Sequence, residues 1–250
     1  MTDETLCEVL RATALAVAGA LAEVEDWRPM TDRPTQYGVD VVADAAALAV
    51  LLGEGLGALS EESGRHHPER AITVVLDPVD GSTNASRRLP WYATSLCAVD
   101  ADGPRAALVV NQATGERFEA VRGAGATCDD VPIAPSGLDD LSMAVVGLAG
   151  WPPPDPGWWQ FRALGAAALD LCAVAAGRLD GFVTTGHGLN PWGYLGAHLV
   201  CEEAGAAIRD GDGQPLVVLD EQAKRYPVAG ATPMLTDALV AARLRPQPGP

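Results

Sequence analysis

The sequence predicts a layered fold of mixed class, α+β in its first half and α/β in its second. Two observations lead there. Four short apolar runs, Ile72 to Leu76, Ala93 to Val99, Ala106 to Val110 and Arg117 to Val121, are bounded by turn residues, and Asp102-Gly103 joins two of them as a hairpin signal. They imply a largely antiparallel sheet. Beyond Ala134-Pro135-Ser136-Gly137 the order changes to alternating strand and helix. With 250 residues, 48% of them hydrophobic, the chain can hold two packed subdomains, 1–135 and 136–250, in one compact unit.

Thr2, with Glu4 and Glu8 behind it, starts a helix whose apolar positions run through Leu6, Leu10, Leu15, Val17 and Leu21, ending before Trp27-Arg28-Pro29. After a polar loop, Asp40 or Asp44 caps a second helix, Ala45 to Leu52, which Gly53, Gly55 and Gly57 stop. The four strands of the first sheet follow. The second half reads as a strand from Met143 to Leu148, a helix from Leu164 to Ala176, a strand from Gly181 to Thr184 and a helix from Trp192 to Ala204. Asn190 caps that last helix and Pro191 takes its first position. Short strands near Ala207 and Leu216, a strand near Val228 and a helix from Pro233 to Leu244 capped by Thr232 complete the fold, before a frayed tail from Arg245 to Pro250. Trp151, Trp158 and Trp159 sit in a Pro/Gly-rich loop, where local packing explains them.

A net charge of −16 and a pI near 4.5, with no Lys/Arg stripe, argue against a nucleic-acid or anionic-membrane partner. Met1-Thr2-Asp3-Glu4 lacks the positive region of a secretory signal, and the apolar run Ala14 to Ala22 is shorter than the roughly 20 residues that span a bilayer. The expectation is a soluble, cytoplasmic protein. Five cysteines with no close pair suggest reduced, mostly buried thiols, neither a disulfide framework nor a thiolate zinc site. Gly53, Gly55 and Gly57, or Gly123 and Gly125, lack the third glycine that a dinucleotide-binding loop places at the opening of a helix.

The chemistry gathers in Asp77-Pro78-Val79-Asp80-Gly81-Ser82-Thr83-Asn84. Pro78 fixes the backbone so that Asp77 and Asp80 converge at a strand end, a cage for a hard cation that prefers oxygen ligands. Gly81 lets the chain turn closely, and the N–H groups of Gly81, Ser82 and Thr83 at a helix start form an anion site beside it. A metal and a phosphate are implied together. A plain Asp-Gly-Ser turn is the alternative for three such residues alone; eight in this arrangement are far more specific.

The octapeptide resembles the Asp-Pro-hydrophobic-Asp-Gly-Thr/Ser-x-Asn signature of the inositol monophosphatase family. Leu59-Ser60-Glu61-Glu62-Ser63 resembles that family's strand-end Gly-Glu-Glu segment, and Asn111 to Glu116 and Gly123 to Ala126 resemble its middle hairpins. Arg162 to Asp180 resembles its central helix, and Asn190 to Ala197 with Glu202-Glu203-Ala204-Gly205 resembles its carboxy-terminal signature. The likeness runs from about residue 5 to 240. It implies an α-β-α-β-α sandwich, a homodimer, and two or three Mg²⁺ ions: Glu61, Asp77 and the Val79 carbonyl on the first, Asp77 and Asp80 on the second. It also implies a nucleophilic water hydrogen-bonded to Glu61 and Ser82, with Asp40 orienting the Ser82 hydroxyl. Asp80, Gly81, Ser82, Thr83, Ala167, Asn190 and Gly193 stand where the family meets phosphate and substrate. For Asp40, a helix cap is the structural alternative, since Ala43 stands where the family usually has Thr.

The main departure is Gly193, which occupies the place of the family's Asp after Trp, a ligand of the second metal. Three carboxylates remain where four are usual, and the second cation is weakened. Asn190, His187 or a water could fill the place, giving a working enzyme, or the chain binds a phosphorylated ligand with little turnover. The loop Thr184 to Leu189 carries no acid and is about two residues longer than in the family, so the substrate is a small phosphorylated metabolite that the sequence does not name further. His187, and His66 and His67, read as solvated loop residues.

Overall fold

The computed structural model describes residues 1–32 and 36–243. Helix α1, Asp3–Ala22, starts at Thr2, whose hydroxyl accepts the Thr5 N–H at 3.2 Å. Its stripe Leu6, Val9, Leu10, Ala14, Val17 and Leu21 is buried, with α2, Gly38–Gly53, packed beside it. By length and composition α1 could cross a bilayer; here its apolar stripe is part of the protein core. Helix α2 begins earlier than the sequence predicts, so Asp40 and Asp44 lie inside it and neither is its N-cap. Val39, Ala43, Ala47 and Leu51, one on every turn, are all buried, and that stripe draws the helix back past the two acids. Asp40 reaches backwards instead and accepts the Tyr37 N–H at 2.8 Å.

An eight-stranded sheet follows, built from β1 (Gly57–Ser60), β2 (Gly64–His66), β3 (Thr73–Asp80), β4 (Ala93–Asp100), β5 (Gly103–Asn111), β6 (Arg117–Val121), β7 (Gly125–Cys128) and β8 (Val131–Pro132). The order is β2-β1-β3-β4-β5-β6-β7-β8, and every neighbouring pair is antiparallel except β1 with β3. A short helix α3, Ser82–Ser86, links β3 to β4. Alternation along the strands separates two cores. Val74, Leu76, Leu96, Ala98, Ala106 and Leu108 face α1 and α2, whereas Val75, Cys97, Val99, Ala107, Val109 and Phe118 face the other way.

The second sheet has the order β10-β9-β11-β13-β12, from β9 (Val145–Ala149), β10 (Gln160–Arg162), β11 (Gly181–Thr184), β12 (Ala207–Asp210) and β13 (Pro227–Gly230). Strands β10, β9 and β11 run parallel, and β13 is antiparallel to β11 and β12. No strand forms at Leu216; that residue is buried and its carbonyl accepts the Tyr194 hydroxyl at 2.7 Å, a loop contact that β-propensity does not foresee. Helices α4 (Ala167–Ala175) and α5 (Leu195–Ala204) fill the space between the sheets, which is why both are apolar nearly all round. On the far face α6, Pro233–Arg243, packs Leu235, Leu239 and Ala242 against Val146, Leu148, Val183 and Val228. The layers are therefore α-β-α-β-α. Thr232 caps α6 as expected, its hydroxyl accepting the Leu235 N–H at 3.2 Å. Leu244 and the tail to Pro250 lie outside the described residues.

Local packing accounts for Trp158, which is buried, but Trp151 and Trp159 are 87% and 60% exposed. All five cysteines are free thiols, Cys97, Cys172 and Cys201 being buried. Gly196 lets α5 approach β4, because a Cβ there would lie 2.7 Å from the Ser95 hydroxyl and 3.2 Å from the Leu96 carbonyl. Gly196→Val is expected to lower unfolding free energy by about 1–3 kcal/mol, read from the urea midpoint. His198, buried on α5, has its pKa pushed down to about 4 by burial alone, with Glu202 the nearest acid at 3.6 Å. The unfolded imidazole, with a pKa near 6.5, then binds more protons than the folded one between about pH 4 and 6.5, so stability falls as pH drops through that window. From pH 7 to pH 5 the natural chain should lose about 2 kcal/mol more stability than His198→Leu, measured by denaturant titration at both pH values.

Candidate active site

The parallel pairing of β1 with β3 assembles the site. Ser60 pairs with Leu76, and the Glu61 N–H continues the ladder to the Leu76 carbonyl at 3.1 Å, so Glu61 leaves the sheet beside Asp77. The Ser60 hydroxyl donates to Asp44 in α2 and accepts the Glu62 N–H at 3.1 Å, which fixes this turn. In β3 the register with β4 shifts between Asp77 and Asp80. This bulge at Pro78-Val79 re-aims side chains that regular pleating would send to opposite faces. The Thr94 hydroxyl holds the Pro78 carbonyl at 2.9 Å, and the Val79 N–H donates to Asp77 at 3.2 Å.

Gly81 then turns the chain at φ 88°, and a Cβ there would lie 3.1 Å from each of Ala166 Cβ, the Gly165 carbonyl and the Trp91 carbonyl. Only glycine satisfies both demands. Ser82 and Thr83 open α3, and the Tyr37 hydroxyl lies 3.4 Å from that of Thr83. Asn84 fastens the turn to the second half, its amide donating to the carbonyls of Trp91 at 2.8 Å and Leu164 at 2.7 Å.

Electrostatically the cluster is strained. Burial, then the charges of Glu61 and Asp80, then a hydrogen bond with the Glu61 carboxyl, push Asp77 well above the usual carboxylate range; the charged neighbours acting most on it are acids. Asp80 is pushed up to about 7, chiefly by burial, with Glu61 adding to it and the α4 amides of Ala168 and Ala167 opposing it; the Ala168 N–H donates at 2.7 Å. Ala167 thus stands against Asp80, at the first turn of α4. Asp40 is also raised to about 7, mainly by burial. The Ser82 hydroxyl favours its charged form, yet Asp40 Oδ1 is buried with no hydrogen bond of normal geometry among the described residues. Buried acids with an orphaned oxygen and an all-oxygen donor set suit a hard dication such as Mg²⁺. A separate trio, Glu116, Cys128 and Asp129, does not, because Arg178 already bonds both Glu116 oxygens at 2.7 Å.

The 3₁₀ turn Pro191–Gly193 packs on β3 and β4. Gly193 is buried, and a Cβ placed on it would meet nothing within 4 Å, so the departure at this position leaves open space. Asn190 stands at the N-cap of this turn with Pro191 first in it, as expected, but its side chain makes no cap hydrogen bond, and α5 itself starts only at Leu195. The Asn190 amide donates to the Glu221 and Ala223 carbonyls at 2.9 and 3.3 Å and its oxygen accepts from Lys224, so it is engaged away from the acids. His187 is exposed. Sequence reasoning missed Asp170. It is buried in α4, accepts the Trp91 indole N–H at 2.9 Å, and is raised to about 8 by burial and then by Asp80. A single acid inside the apolar run Ala166 to Ala176 was the available signal.

Carboxylates gathered in this way, beside a turn built to receive an anion, are characteristic of the metal-using phosphatases, and the layered sheets have a phosphatase-type fold. The chain belongs to the inositol monophosphatase family, which its sequence matches over residues 40–151 and 149–246. Members of that family depend in general on Mg²⁺. The chain is 33% identical over 168 residues to the Nus factor SuhB of Escherichia coli, 61% of this chain and 62% of that one, so it spans under two thirds of that relative's length. The extragenic suppressor protein suhB from Bartonella henselae superposes with a TM-score of 0.82 at 25% identity, covering 96% of this chain and 99% of that one. SaIMPase-II, solved with inositol monophosphate bound, has a TM-score of 0.80 at 20% identity over 96% and 93% of the two chains, a likeness of fold alone.

Because a dication would relieve the repulsion among these acids, Mg²⁺ at 100 times its dissociation constant should add about 2.7 kcal/mol to stability, or roughly 5–10 °C in thermal midpoint. Asp77→Asn should abolish that increment; an unchanged Mg²⁺ shift in the variant would contradict the assignment.

Proposed function

We propose that this protein is a Mg²⁺-dependent phosphomonoesterase acting on a small polyol or sugar phosphate. The observation that carries the reading is the set of acids Glu61, Asp77 and Asp80 at the end of β3 beside the turn Gly81-Ser82-Thr83. Glu61, Asp77, Asp80 and the Val79 carbonyl would hold Mg²⁺, which when bound supplies Lewis-acid charge neutralisation and lowers the pKa of an attacking water. The turn's amides hold the phosphate oxygens, the Ser82 hydroxyl and Glu61 orient the water, and Asp40, facing Ser82, sets the direction of that hydroxyl. Ala167 and Asn190 contribute less directly, the one through its amide on Asp80 and the other by fixing the loop after Leu189. We further propose a cytoplasmic homodimer that takes a phosphorylated metabolite rather than nucleic acid or membrane as its ligand; the family likeness supports the metabolite and the homodimer, and the net charge of −16 is what speaks against a polyanionic partner.

Gly193 favours one second reading, a chain that binds a phosphorylated ligand and turns it over slowly. The vacated carboxylate position is not refilled by Asn190, whose side chain holds the 221–224 segment. Both readings meet one experiment. Phosphate release from a panel of phosphomonoesters with Mg²⁺ is measured for the natural chain and for Gly193→Asp, which the open space accommodates. The expected result is measurable turnover that rises about tenfold or more in the variant. Turnover in neither protein, with Mg²⁺ and phosphate both bound, would overturn the hydrolase reading and leave the binder.

A further inference from the structure

Among the described residues, Arg28, Arg87 and Arg88 have guanidinium groups with no hydrogen bond or ion pair, and all three lie in one groove. The contrast with the other arginines is consistent. Arg11, Arg105, Arg122, Arg178, Arg209 and Arg243 each bond a carboxylate. Others, such as Arg65, Arg70 and Arg225, bond backbone carbonyls. In a chain of net charge −16, acids are available nearly everywhere. Three unpaired guanidiniums gathered in one place form the charge pattern of an anion site.

The groove consists of a cavity of about 660 Å³ and a neighbour of about 390 Å³ that share Arg28 and Ser86 as wall. The smaller is lined by Arg87, Met30 and Tyr37, the larger by Arg88, Trp27 and Tyr92. Such volumes suit a small molecule. Arg87 and Arg88 follow directly on α3, and Arg88 is held at φ 60°, a backbone conformation that glycine takes freely and arginine does not. The rest of the larger cavity limits the ligand. Trp27 and Tyr92 meet edge to face, centroids 5.7 Å apart, and the Trp27 indole N–H is already spent on the Val24 carbonyl at 2.9 Å. Both rings are partly buried on the core and still line the cavity. Glu25 and Asp26 also line this cavity, so a uniform polyanion would meet two acids there.

We propose that this groove binds a nucleoside monophosphate at a site separate from the acidic cluster. The arginines take the phosphate in bidentate fashion, the aromatic pair takes the base, and Glu25 and Asp26 accept from ribose hydroxyls or an exocyclic amine. The inference does not rest on the hydrolase reading, because neither metal nor turnover enters it. Calorimetric titration of the full chain in EDTA with AMP, adenosine and inorganic phosphate tests it. AMP should bind at one site, adenosine and phosphate each at least about tenfold more weakly. The triple change Arg28→Gln, Arg87→Gln, Arg88→Gln should weaken AMP at least about tenfold, whereas Asp77→Asn should leave it unaltered. Arg87→Gln alone, at an exposed position, carries the same test should the triple variant melt early. No heat with AMP up to about 5 mM, or binding lost in Asp77→Asn and kept in the arginine variants, would overturn the proposal.

Discussion

A carboxyl group buried among other acids, Asp77, is the constraint on which the rest of the structure depends. An unpaired buried charge is among the costlier things a fold can contain, so such a group shifts its titration or acquires a counter-charge. Asp77 shows the first response, and the acids around it make the second available to a dication. The surrounding architecture serves to hold the cluster together against its own repulsion. Parallel pairing fixes Glu61 in register with the end of β3, the bulge at Pro78 turns Asp77 and Asp80 towards one region, and the α4 amides lie against Asp80.

The two sheets are coupled at this place. Asn84 spans from α3 to the Leu164 carbonyl, Trp91 reaches Asp170, and farther off Glu203 in α5 accepts the N–H groups of Gly123 and Gly125 at 2.7 and 2.8 Å. These bonds do little for stability individually, about 1 kcal/mol each net. Their effect is geometric. They fix where α4 and the Pro191–Gly193 turn stand relative to β3, and so decide what space opens at Gly193.

Charge is divided in the same way. The acids concentrate at the end of β3, and the unpaired arginines lie at the other end of α3 and in the loop after α1, a separation that a net charge of −16 conceals entirely. The expectation drawn from composition concerned a Lys/Arg stripe for nucleic acid or an anionic membrane, and a groove with three arginines is a local feature of another kind.

Much of the fold was legible because its strands alternate and its turns carry the residues their geometry requires: Arg117–Val121 and Gly181–Thr184 fall where the pattern puts them. The short strands β1, β2, β7, β8 and β10 were not, since their two to four residues lack the adjoining aromatic and β-branched residues that β11 has in Phe182, Val183 and Thr184. The start of α2 was missed because its buried stripe, not its acids, decides it. For the candidate site, the sequence by itself determined which residue types occur at which spacing, so Asp77 to Asn84 stood out as a unit and Gly193 as a departure. Only the tertiary structure decided how Glu61 is brought beside Asp77, through the parallel register of β1 and β3, that Asp170 in α4 stands close enough to feel Asp80, and that the Asn190 side chain is occupied elsewhere. Those facts depend on strand register and helix docking, contacts between segments far apart in the chain that no local pattern encodes.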